Sequence, residues 1–321
     1  MVQKMGMKAL VTGGAGFIGR WLVKRLLDEG VEVFVIDNLE NGRESNLDEF
    51  KSNPLLKKVV YDDVLNEKAL HSLFEFKPDV VYHLAAQINV HESLENPKKA
   101  YDLNITGTFK VLEECRALGS RVMLMGTCMV YDMAQSDKPI SEQHPLKPCS
   151  PYAASKLSAE ILAESYYHSY GLPVVTCRPF NTYGPYQKYN MEGGVVSIFA
   201  RKMLNGEDLL VYGDGKQTRD LLYVEDCTDF LYKASLCEEA CGQVINAGLG
   251  KDVAVIDLAR MVCPDESRIK LVEHHHPQAE IMKLLCDYSK AKSMLGWEPK
   301  VTLEEGIKKV KQQIQDSCVL V

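Results

Sequence analysis

Short apolar runs alternate with longer amphipathic stretches through the first half of the chain, the pattern of βαβ units on a parallel sheet. Strands are predicted at residues 8–12, 31–36, 58–61, 80–84, 121–125 and 174–178, with a later one at 242–246. Helical patterns fall between them, at 16–30, 98–118 and 151–170. Seven strands with interleaved helices predict an α/β fold built on a doubly wound parallel sheet. From about Asn181 the pattern loosens into loop, helix (195–205), short strand (209–212) and helix (224–237), with a last helix at 256–261. Residues 1–180 are expected to form the sheet domain, with returns from about 220–250, and residues 181–321 a smaller α/β lobe. That lobe would cap the sheet's carboxyl edge and leave a ligand cleft between the two.

Composition narrows the function classes. Apolar residues are 46% of 321, enough for a sizeable core. With 37 basic against 44 acidic side chains the net charge is −7, which gives no electrostatic footprint for nucleic acid or an anionic membrane. No apolar run approaches the ~18 residues of a spanning helix, and the N-terminus lacks a signal-peptide core, so the chain reads as soluble and cytoplasmic. Ten cysteines form no CxxC pair, which argues against a zinc site or a disulfide framework. The triplet His274, His275 and His276 has no second ligand pair at metal spacing, so no metal is expected. The ending Cys318-Val319-Leu320-Val321 has a prenylation-like form, but no polybasic stretch precedes it and the match reads as accidental.

Gly13, Gly16 and Gly19 directly follow the first predicted strand and open the first helix. One glycine allows the tight turn, one lets a pyrophosphate approach the backbone, and one lets helix and sheet pack closely. The helix N-terminus offers free N–H groups and a positive dipole end to phosphate. Asp37 ends the next strand, where a carboxylate accepts both ribose hydroxyls of NAD and repels the 2′-phosphate of NADP. These residues predict an NAD site.

The GxxGxxG spacing, together with Tyr152-Ala153-Ala154-Ser155-Lys156, resembles the extended short-chain dehydrogenase/reductase superfamily, and within it the nucleotide-sugar epimerases and dehydratases. The likeness runs nearly end to end. It implies cofactor contacts from Gly13, Gly16, Phe17, Ile18 and Gly19, and an adenosine-ribose loop at Asp37, Asn38, Asn41 and Gly42. Asp63 and Val64 would meet the adenine; Leu84, Ala85, Ala86 and Gln87 would run along the nicotinamide side. Asn104 falls in a helix signature of the family, and Pro179 would lie near the nicotinamide carboxamide. Family members of this kind are also dimeric, which implies a homodimer through the helices near 98–118 and 151–170.

Tyr152 and Lys156, four apart, share one helix face. A lysine cation there lowers the tyrosine pKa, so that a phenolate can take a proton from a sugar hydroxyl as hydride leaves its carbon. The resemblance adds Thr127 as the third catalytic member, its hydroxyl bonded to the reacting oxygen. The next two positions decide the chemistry. Relatives that dehydrate at C4–C6 place an acid pair there, whereas this chain has Cys128 and Met129. A thioether cannot abstract a proton, and a thiol serves only if its pKa is tuned. The pair favours a C4 epimerase, which needs only Tyr152 and NAD. A 4,6-dehydratase remains the alternative, with Cys128 as substitute acid or base and Glu192 or Asp132 as a nearby acid; a UDP-glucuronate decarboxylase and a non-catalytic nucleotide-binding member are further ones.

For the nucleotide sugar, a UDP-sugar by preference, the resemblance puts Asn181 and Arg219 on the diphosphate, and the backbone groups of Val195 and Val196 at the base. Tyr212 would stack on the base, and Thr127 and Met129 would face the sugar. His276 stands where relatives carry an arginine, a weaker and pH-dependent phosphate ligand. His91 replaces an arginine that glucuronate-handling relatives use, which disfavours an acidic sugar.

Overall fold

The computed structural model describes residues 6–134, 138–188, 194–273 and 282–319. Seven parallel strands form the main sheet: β1 (Lys8–Thr12), β2 (Glu32–Ile36), β3 (Leu56–Val60), β4 (Val80–His83), β5 (Arg121–Met125), β6 (Val174–Pro179) and, last in the chain, β10 (Val244–Ala247). Their order is β10-β6-β5-β4-β1-β2-β3. The doubly wound sheet predicted from the pattern is therefore present, with strand boundaries within two residues of expectation.

Alternation along each strand assigns the two faces. Ala9, Val11, Val33 and Val35 join one buried cluster with Leu22, Val23 and Leu26 of α1 (Phe17–Asp28) and Phe230 and Leu231 of α8 (Val224–Leu236). Leu10, Phe34 and Ile36 point the other way. There they meet Leu70 and Leu73 of α2 (Glu67–Phe74), Val111 and Leu112 of α5 (Gly107–Leu118), and Ala163 and Tyr166 of α6 (Pro151–Tyr170). Both faces are thus covered, which is why the strands read as continuous apolar runs.

Helix α6 matches its predicted span because both ends are coded locally. The Ser150 hydroxyl accepts the Ala153 N–H at 3.1 Å, Pro151 occupies the first turn, and Gly171 closes the helix at φ 67°. The single helix predicted over 98–118 is three pieces instead. Pro97–Tyr101 (α4, after α3 at Val90–Glu95) leads into a π-helical turn, Asp102–Thr106, and then α5. The inserted turn aims Asn104 into the protein.

A second set of elements lies beyond β6. β7 (Asn181–Tyr183), β9 (Thr218–Tyr223) and β11 (Asp252–Ala254) make a three-stranded sheet, and β8 (Leu209–Tyr212) pairs with β12 (Ile269–Val272). Helices α7 (Val195–Leu204), α9 (Val255–Val262) and α11 (Leu303–Val319) pack there around Phe199, Leu221, Leu258, Ile307 and Val310. α10 (Ser289–Leu295) follows β12 and brings Trp297, fully buried, against Phe230; its indole N–H donates to the Asp226 carbonyl at 3.1 Å. No helix among the described residues is long and apolar enough to cross a membrane.

Candidate active site

A cleft of about 730 Å³ opens at the carboxyl ends of the main sheet's strands, with α7, β8 and β9 on its far side. Its first end is built by the turn between β1 and α1. Gly13 takes φ 73°, and a Cβ there would lie 2.9 Å from the Ala85 nitrogen. At Gly19 a Cβ would fall 2.0 Å from the Gly13 oxygen, so the turn and helix can meet this closely only without side chains. No side chain caps the first turn of α1, which leaves its N–H groups facing the cleft.

Asp37, at the end of β2, is buried beside that turn. Its Oδ2 accepts the Ala15 N–H at 2.9 Å and its Oδ1 the Leu39 N–H at 2.8 Å. Burial pushes its carboxyl up, and these N–H groups pull it back. Asn38 donates to Asp63 Oδ2 at 2.8 Å, joining the two loops expected around adenosine. Gly13, Gly16, Phe17, Ile18, Gly19, Asp37, Asn38, Asn41, Gly42, Asp63 and Val64 all line this end.

Along the wall come Leu84, Ala85, Ala86 and Pro179. Gln87 and Asn104 do not reach the cleft. Asn104 stands behind the wall, where Oδ1 accepts the Gln87 N–H at 2.8 Å and Nδ2 donates to the Gln87 carbonyl at 3.0 Å and Ser155 Oγ at 2.9 Å. Its place is to hold the strand end against α6.

Tyr152, Lys156, Thr127, Cys128 and Met129 gather at the other end. Thr127 caps a short 3-10 turn, Cys128–Val130, accepting the Met129 N–H at 3.2 Å, and its side chain hydrogen-bonds the Tyr152 phenol. Ser93 Oγ accepts the Tyr152 N–H at 3.1 Å and fixes the start of α6. Burial pushes the Tyr152 phenol up to about 12 and the Lys156 ammonium down to about 8. Burial is the larger effect on both groups; the Thr127 hydroxyl pulls Tyr152 back down and the Glu160 carboxylate pulls Lys156 back up. Burial also raises the Cys128 thiol to about 12, among Val130, Tyr131, Phe180, Leu284 and Cys286.

On the far side, Asn181, Val195, Tyr212 and Arg219 line the cleft. The Val196 side chain is fully buried in the smaller core, and its expected part at the base is through its backbone in the first turn of α7. Asp220, beside Arg219, is also inward, accepting the N–H groups of Leu249 (2.6 Å), Gly250 (2.9 Å) and Cys286 (3.0 Å). Asp132 lies off the cleft, paired with Lys147 at 3.6 Å, while His91 lines it and meets Glu95 at 3.4 Å. Glu192, His276 and the rest of the histidine triplet fall outside the described residues.

Sequence reading missed Lys188, which lines the cleft and donates to the Glu40 carbonyl at 3.1 Å, and the buried pair Glu160–Arg178 beneath Lys156. Glu160 had a signal, since it follows Lys156 by four residues on the same helix.

Known proteins share this fold over nearly the whole chain. A UDP-glucose 4-epimerase of Mycolicibacterium smegmatis is 36% identical over 94% of this chain and 97% of its own length. The crystal structure of Pal from Bacillus thuringiensis superposes with a TM-score of 0.94 at 50% identity, covering 97% of this chain and all of that one. UDP-glucose 4-epimerase of Thermus thermophilus, solved in complex with NAD, gives 0.87 at 32% identity over 96% of this chain and 99% of its own. The profile of the GDP-mannose 4,6 dehydratase family matches residues 10–310, from β1 into α11 and across the cleft. With that span matched, the chain belongs to the GDP-mannose 4,6-dehydratase family of nucleotide-sugar enzymes.

Proposed function

We propose that this protein binds NAD and a nucleotide sugar, oxidises the sugar at C4, and returns the hydride to the opposite face as a 4-epimerase. One observation carries the choice of reaction. Among the described cleft-lining residues the carboxylates, Asp37, Glu40, Asp62 and Asp63, are all on the adenosine-side loops, and none accompanies Tyr152. C4 oxidation needs one proton acceptor, whereas removing a C5 proton and expelling the C6 hydroxyl needs a second acid–base group. A Cys128 thiol raised to about 12 stays neutral at pH 7 and is no base, which weighs against the dehydratase reading.

The residues fit a dinucleotide. The glycine turn admits a pyrophosphate, the uncapped start of α1 offers it N–H groups, and Asp37 suits a ribose diol. NAD, when bound, supplies the hydride acceptor. Tyr152, as phenolate, takes the C4 hydroxyl proton; Lys156 stabilises the phenolate as a cation; Thr127 holds the phenol and the sugar oxygen in line. Proton and hydride return in reverse once the 4-keto sugar has presented its other face. Asn181 and Arg219 bind the diphosphate and Tyr212 brackets a pyrimidine base, with UDP preferred.

The same reading includes a homodimer in a reducing compartment, the cytoplasm. The described cysteines are free thiols, and α5 and α6 leave Phe109 and Ile161 exposed. The catalytic assignment is tested with Tyr152→Phe. Turnover should fall by about a thousandfold, within the range of a lost acid–base group, while NAD is still retained. Near wild-type turnover would refute it.

A further inference from the structure

Glu160 is buried one helical turn below Lys156, on the face of α6 that carries Tyr152. Its Oε2 accepts from Arg178 Nε at 3.0 Å and from Nη2 at 2.5 Å. Arg178 Nη1 donates to the Tyr131 hydroxyl at 2.9 Å, and that hydroxyl donates to Asn246 Oδ1 at 2.7 Å. On the other side the carboxylate presses on the end of β5. A Cβ at Gly126 would lie 2.4 Å from Glu160 Oε1, so only glycine lets the carboxylate reach the backbone leading into Thr127. Burial raises the Glu160 carboxyl, and the Arg178 guanidinium, Lys156 and the Thr127 N–H pull it back towards the ionised form.

We propose that Glu160 is a positioning residue for catalysis: paired with Arg178, it keeps Lys156 cationic and fixes the turn that carries Thr127. A buried ion pair that only held α6 to β6 would sit as well at any point along the helix. This one sits where it borders two of the three proposed catalytic residues, Lys156 and Thr127. Burial drives Lys156 towards its neutral form and Glu160 opposes this. The titratable groups around Lys156 are Tyr152 and Glu160 on α6, His83 at the end of β4, Cys128 beyond β5 and Arg178 on β6. Of these, Glu160 is the carboxylate, held in its buried pair with Arg178, so its removal lowers the pH at which Lys156 loses its proton.

The inference rests on Lys156 acting as the catalytic cation, and its test separates the two. In the purified full chain, acylation of Lys156 by acetic anhydride is followed by peptide mass from about pH 6 to pH 10, a range that brackets a lysine lowered by burial. Glu160→Gln should move the midpoint down by about one to two pH units, the effect of losing a nearby charge in a protein interior. Glu160→Asp should restore most of that shift. Because Glu160→Gln strands Arg178, the double variant Glu160→Gln/Arg178→Met, which neutralises both partners, is measured beside it. The alkaline limb of turnover should move down by the same amount as the midpoint. An unchanged Lys156 midpoint in the folded double variant would overturn the proposal and leave the Tyr152 assignment standing.

Discussion

His83 shows how a buried side chain at the end of β4, behind the site, can be structural. Its Nδ1 lies 2.8 Å from Thr12 Oγ1 and its Nε2 3.0 Å from Thr108 Oγ1. The Thr108 hydroxyl donates to the Asn104 carbonyl at 2.6 Å, so Nε2 is the donor to Thr108 and Nδ1 accepts from Thr12. The ring is neutral, and burial with Lys156 nearby lowers its pKa to about 3. Its folded pKa is below the unfolded one, so the unfolded chain takes up a proton first as pH falls. Stability is then lost from about pH 6.5 downwards, at up to about 1.4 kcal/mol per pH unit for one proton. Denaturant unfolding should show His83→Gln losing less stability than wild type between about pH 6.5 and pH 4.5. A difference between the two that stays constant with pH would contradict this. Such facts are not legible in the sequence. Tyr152, Lys156 and the glycine turn could be read from spacing, because spacing on a helix fixes a shared face. The pKa directions could not, since they depend on burial and on Thr127, which follows β5 and reaches Tyr152 only in the fold.

At the scale of elements, legibility followed length and end signals. Helix α6 and strand β5 lie where the pattern put them, because caps and continuous apolar runs encode them locally. The π turn at Asp102–Thr106 was hidden inside a run with ordinary helical periodicity. Strands β7 and β11, three residues each, are too short for any period to show, and their pairing with β9 is set by the tertiary fold. The outer faces of α5 and α6 make a prediction of their own. Phe109 and Ile161, 45% and 59% exposed, are large apolar groups on adjacent helices, and a second copy would cover them. Light scattering should give twice the chain mass, and Phe109→Glu/Ile161→Glu should give a folded monomer. A wild-type monomer at micromolar concentration would rule that interface out.

For the molecule as a whole, the carboxyl ends of the main sheet and the elements beyond β6 together line the cleft. One set of loops, around Asp37 and Asp63, is polar and acidic; the opposite end holds Tyr152, Lys156, Thr127, Cys128 and Met129. That division makes the outcome of the reaction a property of the molecule, since the fold alone is shared by enzymes that epimerise, dehydrate and decarboxylate. The deciding measurement is mass spectrometry of UDP-, dTDP-, GDP- and CDP-sugars incubated with the protein in D₂O. Epimerisation at C4 predicts a product of unchanged mass, without deuterium on carbon, at a new chromatographic position. Loss of one water, with solvent deuterium at C5, would contradict the account and require an acid–base group for C5 that it does not contain.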